Sequence, residues 1–152
     1  MCSMKLFKDK YSLTLLILTI GLNQLQSQII EADPVYPTIQ DAVDITLYTD
    51  RCECPLEEHT GDIYAHTGVL TENGSGIWEY VIAGWNENIE KAKLEKTGDN
   101  TYVLHISPSI NEYYGIPDTV AVEQLAFVFR NEEGTQQSGN LFYDVQNEGL
   151  AV

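Results

Sequence analysis

Leu125-Ala126-Phe127-Val128-Phe129 is the stretch that decides the fold. In an extended chain successive side chains point to opposite faces, so Leu125, Phe127 and Phe129 share one face and Ala126 and Val128 the other. Both faces are apolar. Such a strand needs cover on both sides, which predicts a central position in a sheet. Burying two Phe and one Leu contributes about 5–8 kcal/mol before chain entropy is subtracted.

Outward from this segment the apolar period is two, not 3.6. Val43, Ile45 and Leu47 alternate with Asp44 and Thr46, and residues 63–69 (IYAHTGV) form a second run. Trp78, Tyr80 and Ile82 follow, then Ala92 and Leu94, then Tyr102, Leu104 and Ile106, and finally Leu141, Tyr143 and Val145. Turn-forming residues separate the runs. Residues 71–76 (TENGSG), 97–100 (TGDN), 131–134 (NEEG) and 138–140 (SGN) supply them, with 97–100 placed as a tight hairpin. The long gap at 107–122 has room for one helical turn around Ile110–Gly115. About seven short strands punctuated in this way predict an all-β antiparallel sandwich over residues 41–152.

The N-terminus has a different character. Lys5, Lys8 and Lys10 precede the apolar run 11–22 (YSLTLLILTIGL), and a polar stretch ending at Ser27 follows. This order is that of a secretory signal peptide over 1–27, cut between Ser27 and Gln28. The apolar run falls short of the about 20 residues that a bilayer-spanning helix needs, so no membrane insertion is expected after cleavage. Residues 28–40, with Pro34 and Pro37, read as an extended lead-in.

The chain has eight Lys and Arg against 23 Asp and Glu. Residues 1–27 hold three of those Lys and one Asp, leaving five basic and 22 acidic side chains, or net −17. A polyanion is repelled by that field, which excludes nucleic acid as a partner and disfavours anionic membrane surfaces. Of three cysteines only Cys52 and Cys54 follow the signal. A bridge between residues two apart in extended chain is strained, so the pair is read as a local loop feature; in an exported protein the two could still oxidise, or pair with another chain. Two thiols alone do not complete a zinc site.

No motif for hydrolysis, phosphate binding or metalloprotease chemistry is present, and catalysis is not expected. Asp62, Tyr64 and His66 would share one strand face, where an acid/base pair or a metal site is conceivable; a hydrogen-bonded polar row is the preferred reading. Asn86-Glu87-Asn88 and Asn131-Glu132-Glu133 offer oxygen ligands for calcium but lack the full loop pattern, so no cofactor is expected.

The aromatic composition points elsewhere. Two Trp and nine Tyr against four Phe favour rings with a polar handle, which stack on the apolar face of a sugar while hydrogen-bonding its hydroxyls. Trp85, between Gly84 and Asn86, sits at a strand end or in a loop, where ligand stacking and local packing are both open. Trp78 shares a strand face with Tyr80 and Ile82, which favours core packing over ligand contact. Of Tyr113 and Tyr114, one ring is expected inward and one outward. Trp85, Trp78, Tyr114 and Tyr113 are therefore the candidate ligand-binding residues.

Four stretches together resemble a known family: 62–69 (DIYAHTGV), 78–81 (WEYV) with Trp85, 107–117 (SPSINEYYGIP) and 125–134 (LAFVFRNEEG). They are similar to the N-terminal β-sandwich accessory module of secreted α-amylase-family glycoside hydrolases and cell-surface starch-processing proteins of Gram-negative bacteria. The likeness spans residues 41–145. It implies an immunoglobulin-like or carbohydrate-binding-module-like sandwich, secreted, periplasmic or on the cell surface, that binds α-glucan beside an associated glycoside hydrolase. It carries over no binding residues. Modules of that kind precede a catalytic barrel or a sorting domain, whereas only residues 146–152 follow the last expected strand here. The alternative is an immunoglobulin-like spacer or protein-interaction domain of the envelope without a sugar ligand, or part of a longer glycosidase.

Overall fold

The structure is a computed structural model describing residues 28–147; the expected signal peptide and the last five residues lie outside the described range. Seven strands are present: β1 (Ile30–Asp33), β2 (Val43–Tyr48), β3 (Ile63–Thr71), β4 (Glu95–Gly98), β5 (Thr101–Ile106), β6 (Val122–Asn131) and β7 (Leu141–Asp144). They form two antiparallel sheets, one ordered β1-β2-β5-β4 and the other β3-β6-β7. With the strands lettered A to G in chain order, these are the ABED and CFG sheets of a constant-type immunoglobulin sandwich. The all-β sandwich expected from the sequence is what the chain forms. The hallmark disulfide between the second and sixth strands is absent from the described residues, and apolar packing fills its place.

β6 occupies the centre of its sheet, as its two-sided apolar pattern requires. Leu125, Phe127 and Phe129 point between the sheets, where they meet Val43, Ile45 and Leu47 of β2 and Leu104 and Ile106 of β5. The rings of Phe127 and Phe129 stack at 5.5 Å. Ala126, Val128 and Arg130 face the other way and are buried as well. The cover on that side is the connection from β3 to β4.

Residues 97–100 close the β4–β5 hairpin as expected. The helical turn in the long gap is α1 (Ile110–Tyr114); the Ser109 hydroxyl accepts from the Glu112 amide at its start, and Gly115 at φ 72° ends it in the left-handed region that glycine adopts freely. No helix among the described residues is long and apolar enough to cross a membrane.

Four expectations change. The lead-in 28–40 is not merely extended, because it contributes β1, which pairs with β2 and buries Ile30 and Ala32. The run at 78–82 is not a regular strand. Glu79 makes one antiparallel bridge to Val69, then Tyr80 takes φ 51°, which breaks the alternation. The run at Ala92 and Leu94 is not a strand, because Glu90–Ala92 form a 3-10 turn and β4 begins only at Glu95. Cys52 and Cys54, whose pairing the sequence left open, are joined by a disulfide. The extended backbone that argued against the bridge is absent there: Glu53 turns the chain at φ 50°, and the two Cα atoms lie 5.1 Å apart, inside the range a disulfide spans.

Candidate functional site

The outer face of the β3-β6-β7 sheet gathers several aromatic residues outside the core. Tyr64 and His66 project from β3, Val128 and Arg130 lie opposite them on β6, and Phe142 lies opposite Ala126 on β7. Gly68 and Ala126, which are register partners, put no large side chain in the middle of this face, and Glu79 and Val81 lie directly against Gly68. The β3–β4 connection runs along it. Its backbone is bonded to the β3 edge by reciprocal Val69–Glu79 hydrogen bonds of 2.9 Å and by the Ile82 amide to the Thr67 carbonyl at 3.0 Å.

This arrangement sets Trp78 and Trp85 on either side of His66. The His66 and Trp78 rings are stacked at 5.9 Å, and Trp85 meets His66 edge-on at 5.3 Å. Trp78 in turn meets Phe142 edge-on at 6.2 Å. The result is a continuous row, Trp85–His66–Trp78–Phe142, whose members are half-buried or exposed. Burial holds the His66 pKa below its ordinary value, opposed by a hydrogen bond with the Ala83 backbone and reinforced by the nearby Arg130 charge. A neutral imidazole therefore sits between two indoles. Its Nδ1 has no protein partner.

Trp78 departs from its expected place. With Tyr80 in a left-handed conformation, Tyr80 and Ile82 pack against the core while Trp78 turns to the outer face. Trp85 is half-buried on the same face, so packing and exposure both describe it.

Tyr113 and Tyr114 are corrected outright. Both are buried, at 3% and 6% exposure, and neither ring points outward. Ile110, Tyr113 and Tyr114 stand at i, i+3 and i+4 of the helical turn and so share its buried face, while Glu112 is exposed. The Tyr114 hydroxyl donates to Thr67 Oγ1 at 2.7 Å, since that hydroxyl itself donates to the Ala126 carbonyl at 2.8 Å. The Tyr113 hydroxyl donates to the Lys91 carbonyl at 2.8 Å. Desolvation pushes both phenols far above their ordinary pKa. Both belong to the core, with Tyr113 also at the wall of the cleft beside β4 and β5.

Sequence reasoning missed Arg130. It is only 1% exposed, and no carboxylate among the described residues lies within ion-pair distance of it. Its guanidinium instead donates to the Asn88 side chain at 2.8 Å and to the carbonyls of Glu87 at 2.9 Å and Asn131 at 3.0 Å, leaving Nε without a partner. It also lies 5.6 Å from the Tyr64 ring and 5.9 Å from that of Trp85. Arg130 thereby fastens the loop bearing Trp85 to the turn after β6. That turn is shaped by Asn131, whose side chain accepts from the amides of Thr135 and Gln136 at 2.9 and 3.0 Å. Gly134 lies so close that a Cβ there would come 3.0 Å from Trp85 Nε1.

The residues considered for metal or acid/base chemistry have other work. Asp62 pairs with Lys93 at 2.7 Å. Glu87 closes its own loop on the Gly84 amide at 2.8 Å, and the Asn88 amide donates to the Glu132 carbonyl at 3.0 Å. Among the described residues no group of three His, Cys, Asp or Glu is placed to hold a metal ion. A cleft of about 620 Å³ beside β4 and β5 collects Lys91, Lys93 and Lys96. Each already has a partner: Lys91 the Tyr113 carbonyl, Lys93 the Asp62 carboxylate, Lys96 the Thr60 carbonyl. The chain matches no protein-family model, and no curated protein matches it.

Proposed function

We propose that the domain is an exported, non-catalytic carbohydrate-binding module for α-glucan, presented to a glycoside hydrolase acting on the same polymer. The observation that carries this reading is the row Trp85–His66–Trp78–Phe142 on the outer sheet face. Aromatic rings partly open to solvent and fastened from behind suit the apolar faces of pyranose rings, with the neutral imidazole packed between the two indoles. The rings are mutually inclined, with interplanar angles of 67°, 25° and 82° along the row from Trp85 to Phe142. A bent chain follows such a surface better than a flat crystalline one. The acidic character of the domain agrees with an uncharged ligand. The family resemblance of 41–145 points to the same polymer.

The test is a titration of the domain with maltoheptaose, followed by tryptophan fluorescence and by calorimetry. Saturable binding that Trp78→Ala and Trp85→Ala weaken is expected. A flat response at millimolar sugar removes α-glucan as the ligand, and an envelope protein that then co-purifies with the domain replaces this reading with that of an interaction module, which the same fold serves equally well.

A further inference from the structure

The most exposed aromatic ring among the large apolar side chains is not in the row. Tyr36, at 77% exposure, stands in the β1–β2 connection between Pro34 and Pro37. It borders a cleft of about 360 Å³ whose other wall is Phe142, at 42% exposure. Phe142 is also the end of the aromatic row, through its edge contact with Trp78. The two surfaces are therefore continuous.

Isolated apolar residues on a surface need no explanation. This ring is different because its backbone is immobilised. Proline fixes φ at two positions around it. The Tyr143 hydroxyl donates to the Val35 carbonyl at 2.8 Å, and the Gln146 amide donates to the Pro37 carbonyl at 2.7 Å, so both sides of the loop are tied to β7 and the residues after it. Beyond Pro37, the Asp41 carboxylate accepts from the Thr38 amide and hydroxyl at 2.8 and 3.0 Å. Folding holds an aromatic side chain out in water on a rigid support. That arrangement adds little to stability but reduces the ordering cost of a contact made there.

The rim sets the chemistry of that contact. Asp144 and Gln146 line the cleft beside the two rings. The Asp144 carboxylate accepts one bond, from Gln124 at 2.7 Å, and keeps further acceptor sites. Stacking rings beside acceptors of hydroxyl protons, in a domain of large negative charge, fit an uncharged sugar and repel an anionic one.

We propose that Tyr36 and Phe142, with Asp144 and Gln146 at the rim, form an outlying subsite for an uncharged pyranose, in line with the Trp78 end of the aromatic row. This rests on the glycan reading above and lengthens its site. A chain long enough to reach from the Trp85–Trp78 segment to Tyr36 gains a contact that a short one lacks.

The experiment compares maltotriose and maltoheptaose on wild-type domain and on Tyr36→Ala, Phe142→Ala and Trp78→Ala, by calorimetry. Wild type is expected to bind the longer sugar more tightly. Tyr36→Ala is expected to lose about two- to tenfold for maltoheptaose, the worth of an aromatic contact, with maltotriose affinity unchanged, whereas Phe142→Ala, which belongs to the row as well, weakens the binding of both sugars. Trp78→Ala weakens both. Because Tyr36 is so exposed, its variant keeps the wild-type melting temperature. Wild-type binding of maltoheptaose that Tyr36→Ala leaves untouched overturns the subsite alone, and no binding of either sugar by wild type overturns the glycan reading and the subsite with it. Tighter binding of an oligogalacturonate than of maltoheptaose overturns the uncharged-sugar assignment.

Discussion

Gly68→Ala isolates the packing of the β3–β4 connection from everything else in the fold. Gly68 lies mid-strand on β3 without a positive φ, so the backbone itself accepts alanine and would gain about 0.5–1 kcal/mol from the swap. Space is the obstacle. A Cβ at this position would sit 2.8 Å from the Glu79 carbonyl oxygen and 3.1 Å from Val81 Cγ2. The first is closer than real Cβ atoms come. The Glu79 carbonyl cannot swing aside freely, because it accepts the Val69 amide at 2.9 Å. Residues 79–81 must therefore move off the sheet, which strains the reciprocal Val69–Glu79 bonds and shifts Trp78 next to them. Overpacking of this kind costs about 1–3 kcal/mol, which exceeds the propensity gain. The expected result is a domain destabilised by about 1–2 kcal/mol in urea, with altered tryptophan emission and weaker maltoheptaose binding, and with its far-ultraviolet β signature retained. Gly68→Ala as stable as wild type, or more so, would refute the claim that this connection is pressed onto the sheet face.

Two further outcomes follow from the same structure. Arg130→Met removes the donors that fasten the Trp85 loop; with buried acceptors left unpaired the loss is at least about 2 kcal/mol in chemical denaturation, accompanied by a red shift of Trp85 emission. His105 bridges Glu95 at 2.9 Å and Asp44 at 2.7 Å on the outer face of the other sheet, and these bonds raise its pKa, that to Glu95 most. A raised folded-state pKa adds stability that is complete below the unfolded value of about 6.5 and fades as pH rises through the folded value. The urea midpoint of wild type should thus fall slightly between pH 6 and pH 8, a small effect because the side chain is half exposed, and His105→Gln should flatten that slope.

Much of this was legible along the chain. The apolar two-sidedness of 125–129 marks a central strand wherever it occurs, and β6 is central. Alternation at 43–47 and 102–106, the turn at 97–100 and the helical turn near 110 are local patterns with local causes, and each appears where its residues demand. The site was less legible. Trp78 has the spacing of a core residue, and only the left-handed Tyr80 sends it to the other face. Tyr113 and Tyr114 looked like one inward and one outward ring, a strand rule that fails on a helical turn, where both share the buried face of Ile110. Arg130 has no sequence signal beyond its place after an apolar run; its burial depends on carbonyls brought from residues 87 and 131.

By itself, then, the sequence determined that the chain folds as facing β-sheets, since side-chain alternation is a property of each segment alone. Which aromatic rings meet solvent was decided only in three dimensions. Exposure depends on what other segments cover a residue, and the connection laid against Gly68, the loop pinned by Arg130 and the proline-held Tyr36 are all products of that covering.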